Sequence, residues 1–210
     1  MEKQRLIRKF DKQSKIYEYR RKRLTEREWR RKLVGDARGK TLEVAVGAGA
    51  NFTFYPSGVR VTAVDFSGAM LDKARRAAAE HGVAAEFVQA DLETLDFPDG
   101  SFDTILSTLS FCGYERPERM LEKFDRWCKP GGRILMMEHG LSASRLVGAA
   151  QRALEPLFHR VVGCHFDRDM VALLRNSPLH VVRMERHLLG AFHLVWAEPH
   201  GQPEGEEFQQ

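Results

Sequence analysis

The 210-residue chain carries 33 Lys+Arg against 29 Asp+Glu and is 43% hydrophobic, enough for one domain with a sizeable core. Cys112, Cys128 and Cys164 lie far apart with no C-x-x-C pairing, which argues against a disulfide framework or a cysteine zinc site and fits a reducing, cytoplasmic setting. No apolar run approaches the ~20 residues of a membrane span, and the charged N-terminus does not read as a signal peptide.

The charge is uneven. Residues 1–40 hold 16 Lys+Arg against 6 Asp+Glu, a net of +10, so the remainder is acidic at −6. Such an arm can be a solvated helix face, or it can meet nucleic acid, an anionic lipid surface or an acidic substrate. Within it Leu6, Phe10, Tyr17 and Leu24, with Ile7, recur at helical spacing, predicting one long helix or two short ones.

From residue 40 strands and helices alternate. T-L-E-V-A-V (41–46) reads as a strand stopped by Gly47-Ala48-Gly49, and V-R-V-T-A-V (59–64) as a second strand. Ser67 caps an alanine-rich helix to Glu80. Strands follow at 85–90, 102–107 and 133–138, with a helix at 116–128 that Pro130-Gly131-Gly132 closes and turns into the fifth strand. Helices are expected near 143–160 and 167–176, and then two strands joined around Gly190 as an antiparallel edge hairpin. The pattern predicts an α/β fold with a doubly wound, mostly parallel sheet, seven strands in all, covered by helices on both faces. Residues 1–36 form the basic helical arm, 37–198 the domain, and 199–210 a polar, disordered tail.

In such sheets ligands sit at the carboxyl ends of the strands near the switch in strand order. The glycine turn lets backbone N–H groups approach a ligand. Asp65 ends the second strand, where a carboxylate meets ribose hydroxyls, and Asp91 follows the third, within reach of a nucleobase amine. Each acid alone reads equally well as a helix cap or turn former. Together they describe a nucleoside pocket.

The segments L-E-V-A-V-G-A-G, V-T-A-V-D-F-S-G-A-M-L, Q-A-D-L and K-P-G-G-R-I-L resemble the motifs of class I S-adenosylmethionine-dependent methyltransferases, over roughly residues 41–140. One departure is Ala45, where the family usually carries glycine. G-A-N-F-T-F-Y-P and M-E-H look like membrane-associated methyltransferase-like thiol methyltransferases, and V-D-F-S-x-x-M-L is shared with bacterial phospholipid N-methyltransferases and quinone C-methyltransferases. The resemblance implies a Rossmann-like methyltransferase fold with S-adenosylmethionine as cofactor. It places Glu43, Gly47 and Gly49 at the methionine end, Asp65 on the ribose hydroxyls, Phe66 and Met70 near adenine and ribose, Asp91 with the Leu92 backbone at the adenine amine, and Ser107 and Thr108 facing the methionine moiety. Nicotinamide-cofactor binding is the competing use of Asp65, and Q-A-D-L with K-P-G-G favours the methyltransferase reading.

Methyl transfer from a sulfonium is an in-line displacement that needs alignment in a dry site and no metal. A thiol with pKa near ~8.5 is partly ionised at neutral pH, whereas an alcohol needs a strong base. The absence of an evident His-Asp or paired-carboxylate arrangement favours a thiol, an amine or an activated carbon, and the resemblance implies a small lipophilic acceptor, a thiol first, with a phospholipid amine or a quinone carbon as alternatives. Tyr17, Tyr19, His139 and His165 are the acceptor-side candidates, Tyr17 and His139 foremost as catalytic residues. Cys112 and Cys164 read as small core residues. The arm lacks the aromatic and glycine interleaving of nucleic-acid readers, so that class is set second. F-D-K-Q-S-K-I-Y-E looks like the segment that lids the site in small-molecule members, while Leu6, Ile7, Phe10 and Trp29 among the basic residues suit weak contact with an anionic membrane surface. The protein is expected to be cytoplasmic or membrane-peripheral.

Overall fold

The structure, a computed structural model, describes residues 3–23, 25–162 and 164–200. The expected tail falls, from residue 201, outside the described residues, as does the Leu6 side chain.

Strands β1 (Lys40–Val44), β2 (Arg60–Asp65), β3 (Ala84–Gln89), β4 (Phe102–Thr108), β5 (Cys128–His139), β6 (His180–His187) and β7 (Phe192–Glu198) form one seven-stranded sheet in the order β3-β2-β1-β4-β5-β7-β6. The first five pair in parallel, and β7 runs antiparallel to both β5 and β6. Burial on both faces explains the apolar, β-branched runs of β1 and β2. The order reverses at β1, which lies between β2 and β4, and this opens a crevice at their carboxyl ends.

Helices α1 (Lys3–Lys22) and α2 (Arg27–Val34) precede the sheet. Between the strands lie α3 (Gly68–His81), α4 (Pro117–Trp127), α5 (Arg145–Val162) and α6 (Met170–Arg175). Ser67 caps α3 by accepting from Met70 N at 3.2 Å, and Pro117 opens α4, where its missing N–H costs nothing. On one face α4 buries Phe124 and Trp127 against Phe102, Phe111 and Ile134; Phe97 meets Trp127 edge-on at 5.2 Å.

The two arm helices differ in kind. Leu33 and Val34 of α2 are fully buried with Leu106, Leu135 and Leu194, so α2 belongs to the core. Trp29, expected to suit a lipid surface, stacks instead on His187 at 4.5 Å and lies 5.0 Å from Phe192, because the edge hairpin offers it an aromatic face. Helix α1 runs along α3 through polar ties: Glu18 accepts from Lys73 at 2.6 Å, and Arg21 pairs with Glu80 at 2.9 Å. Strand β5 also begins earlier than expected. Cys128 already pairs with Phe102, and Pro130-Gly131-Gly132 forms an irregularity inside the strand rather than a turn before it.

Candidate active site

The loop after β1 turns because three residues adopt left-handed backbone: Ala45 (φ 49°), Gly47 (φ 55°) and Gly49 (φ 77°). Gly49 is required by packing as well, since a Cβ there would lie 2.6 Å from Phe52 Cδ2. Gly47 is open: the nearest atom to an added Cβ is Ala45 O at 4.0 Å, leaving its backbone face approachable. Ala45 holds the same kind of conformation with a methyl group, which accounts for glycine being the usual residue there.

Asp65 stands beside this loop. Its Oδ2 accepts from Gly47 N at 2.9 Å and its Oδ1 from Ser67 N at 2.8 Å. Burial pushes its carboxyl up to about 6, against these backbone donors. Ala90 N bonds to Asp65 O at 3.1 Å, which brings Asp91 to the neighbouring strand end. There Asp91 Oδ1 accepts from Glu93 N at 3.1 Å, and its side chain lines a cavity of about 350 Å³ with Glu93, Arg119 and Lys123. Leu92 is buried, and its carbonyl accepts from Lys123 Nζ at 3.1 Å. Phe66 meets Phe10 of α1 edge-on at 5.4 Å, and Met70 is 1% exposed, a wall beneath the α3 cap.

Glu43 lies under the glycine turn with both oxygens engaged, Oε1 by Asn51 Nδ2 and Oε2 by Tyr55 OH, each at 2.8 Å. Arg30 enters from α2: its Nη1 donates to Asn51 Oδ1 at 2.6 Å and to Thr108 Oγ1 at 3.2 Å. Asn51 Nδ2 also reaches Thr108 Oγ1 at 3.0 Å. Burial pushes Glu43 up to about 7, and the bonds from Tyr55 and Asn51 oppose it. The result is a polar floor joining β1, β4 and α2.

Beyond β4 a third buried carboxylate, Glu138, accepts from Ser107 Oγ at 2.7 Å, Ser110 N at 2.9 Å and Phe111 N at 3.2 Å. Its carboxyl is driven up to about 7 by burial. His139 follows it, and burial lowers the imidazole below the ordinary histidine range. Tyr17 faces this side from α1; burial, then the Cys164 and Cys112 thiols, push its phenol up to about 12. Cys112 is buried and Cys164 half-buried, and the interaction of the two thiols raises Cys112 and lowers Cys164. His165 N bonds to Cys112 O at 2.9 Å, and His165 Nδ1 meets Glu155 at 2.6 Å. Asp167 lies near them, the three ligand atoms all within 4.8 Å of one another. Tyr19 is exposed at 57%, with Arg23 over its ring, away from this group.

Residues 42–136 match the family described as methyltransferase domain. The chain is 34% identical over 146 residues to phosphatidylethanolamine N-methyltransferase of Cereibacter sphaeroides, covering 69% of this chain and 71% of that one. It is 32% identical over 164 residues to human thiol S-methyltransferase TMT1A, covering 76% and 67% respectively. The chain belongs to the class I S-adenosylmethionine-dependent methyltransferases. Among solved structures, the Streptomyces coelicolor geranyl diphosphate C-methyltransferase, determined with S-adenosylhomocysteine, superposes with a TM-score of 0.65 at 14% identity, over 81% of this chain and 77% of that one. A Pyrococcus horikoshii protein gives 0.65 at 22% identity over 86% and 91%. Both share the fold.

The cofactor of this methyltransferase is S-adenosylmethionine, and the residues fit it. An approachable Gly47 beside a buried carboxylate that receives only backbone donors suits a ligand bearing vicinal hydroxyls. Sequence reasoning missed Arg30, Asn51, Tyr55, Ser110 and the bonding of Glu138. Arg30 had a signal: it shares the i, i+3, i+4 stripe with Leu33 and Val34, so it had to face inward.

Proposed function

We propose that this methyltransferase acts on a small lipophilic acceptor and that a thiol is its preferred class. S-adenosylmethionine supplies a methyl group activated on a sulfonium. In this reading Asp65 accepts the ribose hydroxyls, Asp91 and the Leu92 backbone meet the adenine amine, and Phe66 borders the nucleoside. Glu43, Thr108, Asn51 and Arg30 hold the floor beneath the methionine end, with Ser107 beside them, and Gly47 and Gly49 let the backbone approach. Helix α1 roofs the site and excludes water, placing Phe10, Asp11 and Tyr17 inward.

The observation that carries the thiol preference is the state of the groups facing the acceptor side. Tyr17 keeps its proton, pushed up to about 12. His139 is made a weaker base by burial. Glu138 has its oxygens occupied by Ser107, Ser110 and Phe111. An acceptor that ionises by itself suits such a site, as a thiol near ~8.5 does and an ammonium near ~10 does not. Tyr17 and His139 then position the acceptor. The bacterial relative of 34% identity supports a second reading, a phospholipid amine.

Rates with alkanethiols of graded acidity test this. The pH–rate profile should move with the pKa of the thiol. A midpoint fixed whatever the thiol would place a general base on the protein and contradict the proposal.

A further inference from the structure

Helix α5 is attached to the body by its polar side. Gly148 is buried, Gln151 accepts from Ser142 N at 2.7 Å and donates to Gly140 O at 3.0 Å and Phe166 O at 3.1 Å, and Glu155 meets His165 at 2.6 Å. The opposite stripe, Leu146, Ala150, Ala153, Leu154 and Leu157, recurs at i, i+4, i+7, i+8 and i+11 and faces solvent. Leu146, Leu154 and Leu157 are 85%, 53% and 64% exposed. A helix that docks on its own protein normally turns these faces the other way.

A second observation joins it. Leu188 and Leu189, at the tip of the β6–β7 hairpin, are 66% and 70% exposed and both adopt left-handed backbone, φ 50° and 56°. Holding two leucines in that strained conformation to face water is costly without a partner. Leu189 O accepts from Ala143 N at 3.0 Å and Ser142 Oγ at 2.7 Å, so the tip is fixed beside the start of α5.

Charge identifies the partner. Among the described side chains of α5 the exposed charged residues are Arg145 and Arg152, both basic. Beside the hairpin turn a cavity of about 290 Å³ is lined by Arg175, Arg186, His193, Asp169 and Ser142. His193 is 2% exposed, and its Nδ1 has no hydrogen-bond partner. Asp169 is committed to capping α6, accepting from Ala172 N at 2.9 Å. We infer that α5 and the β6–β7 tip form a docking surface for an anionic phospholipid bilayer, with a headgroup phosphate entering the Arg175–Arg186 cavity. The basic arm is a poorer candidate, since Arg21 turns inward to Glu80. Resting on the lipophilic-acceptor reading, this surface delivers an acceptor dissolved in the bilayer, because the segment after α5 runs to Cys112 through His165.

The test is co-sedimentation of the full chain with vesicles of phosphatidylcholine alone or with about 30% phosphatidylglycerol. Wild type should bind both, the anionic vesicles more tightly. Leu154→Ser/Leu157→Ser and Leu188→Ser/Leu189→Ser should each lower binding about tenfold or more on both vesicles. Arg175→Gln/Arg186→Gln should remove only the anionic preference. S-adenosylhomocysteine affinity, measured by calorimetry in the same variants, should not change; its loss in wild type would instead count against the methyltransferase reading. No vesicle binding by wild type, or undiminished binding by the leucine variants, overturns the inference. So does a dimer in ultracentrifugation that the leucine changes dissolve while vesicles leave wild type unbound.

Discussion

The hydroxyl of Ser67 donates to the carboxylate of Asp11 at 2.5 Å, fastening α1 to the first turn of α3 directly beside Asp65. One serine therefore caps a helix and ties α1 to it, beside the carboxylate proposed to hold the ribose. Asp11→Ala should loosen α1. Tryptic cleavage at Lys12 and Lys15 should rise about tenfold, as expected for ~1–2 kcal/mol of lost closure. Unchanged cleavage would mean that Phe10 and Glu18 hold the lid alone. Deleting residues 1–22 should leave a folded domain with sharply reduced turnover, because Arg30, Leu33 and Val34 of α2 remain.

The buried Asp65 carboxyl, pushed up to about 6, gives cofactor binding a pH dependence. In the proposed reading ribose hydroxyls donate to the ionised form, so binding should lower this pKa. S-adenosylhomocysteine affinity should then be constant above about pH 6.5 and fall by up to about tenfold per unit below about pH 5.5. Calorimetry across this range checks it. Asp65→Asn should weaken binding at neutral pH and flatten the profile, and an equally steep profile in that variant would assign the titration to another group.

Ala45 sits at φ 49°, where a methyl group crowds the backbone. Ala45→Gly should raise the unfolding free energy by about 0.5–1 kcal/mol, the left-handed strain relieved exceeding the entropy that glycine adds to the unfolded chain. Urea denaturation measures it. A loss of stability would show that the loop has adapted to alanine.

Arg30 binds Asn51 and Thr108 from a helix that precedes the sheet. Arg30→Met should cost about 2–3 kcal/mol, since buried polar partners lose their donor and Glu43 loses its nearest buried cation. Cofactor affinity should fall with it, as the floor proposed to lie under the methionine end loosens. Full stability in Arg30→Met would make the contact incidental.

The strand ends were legible in the sequence because β-branched runs and glycine turns mark them locally: Gly47, Gly49, Asp65 and Asp91 all lie at the carboxyl ends of β1, β2 and β3. The family match confirms the cofactor that these segments implied. What was hidden depends on tertiary contact. Arg30 looked like one charge among sixteen until α2 was seen to pack with its stripe inward. The arm was read as one unit, yet α2 is core and α1 is tied mainly by polar contacts to α3, a difference that basic composition conceals. Helix α5 was expected near 143–160, but periodicity alone gave no sign of which face would turn outward.

The most direct measurement offers the purified chain labelled S-adenosylmethionine with an alkanethiol, phosphatidylethanolamine vesicles and a demethylquinone side by side. The proposal predicts labelled thioether as the dominant product. Label found chiefly in the phospholipid or the quinone, with the thiol unmodified, would contradict it.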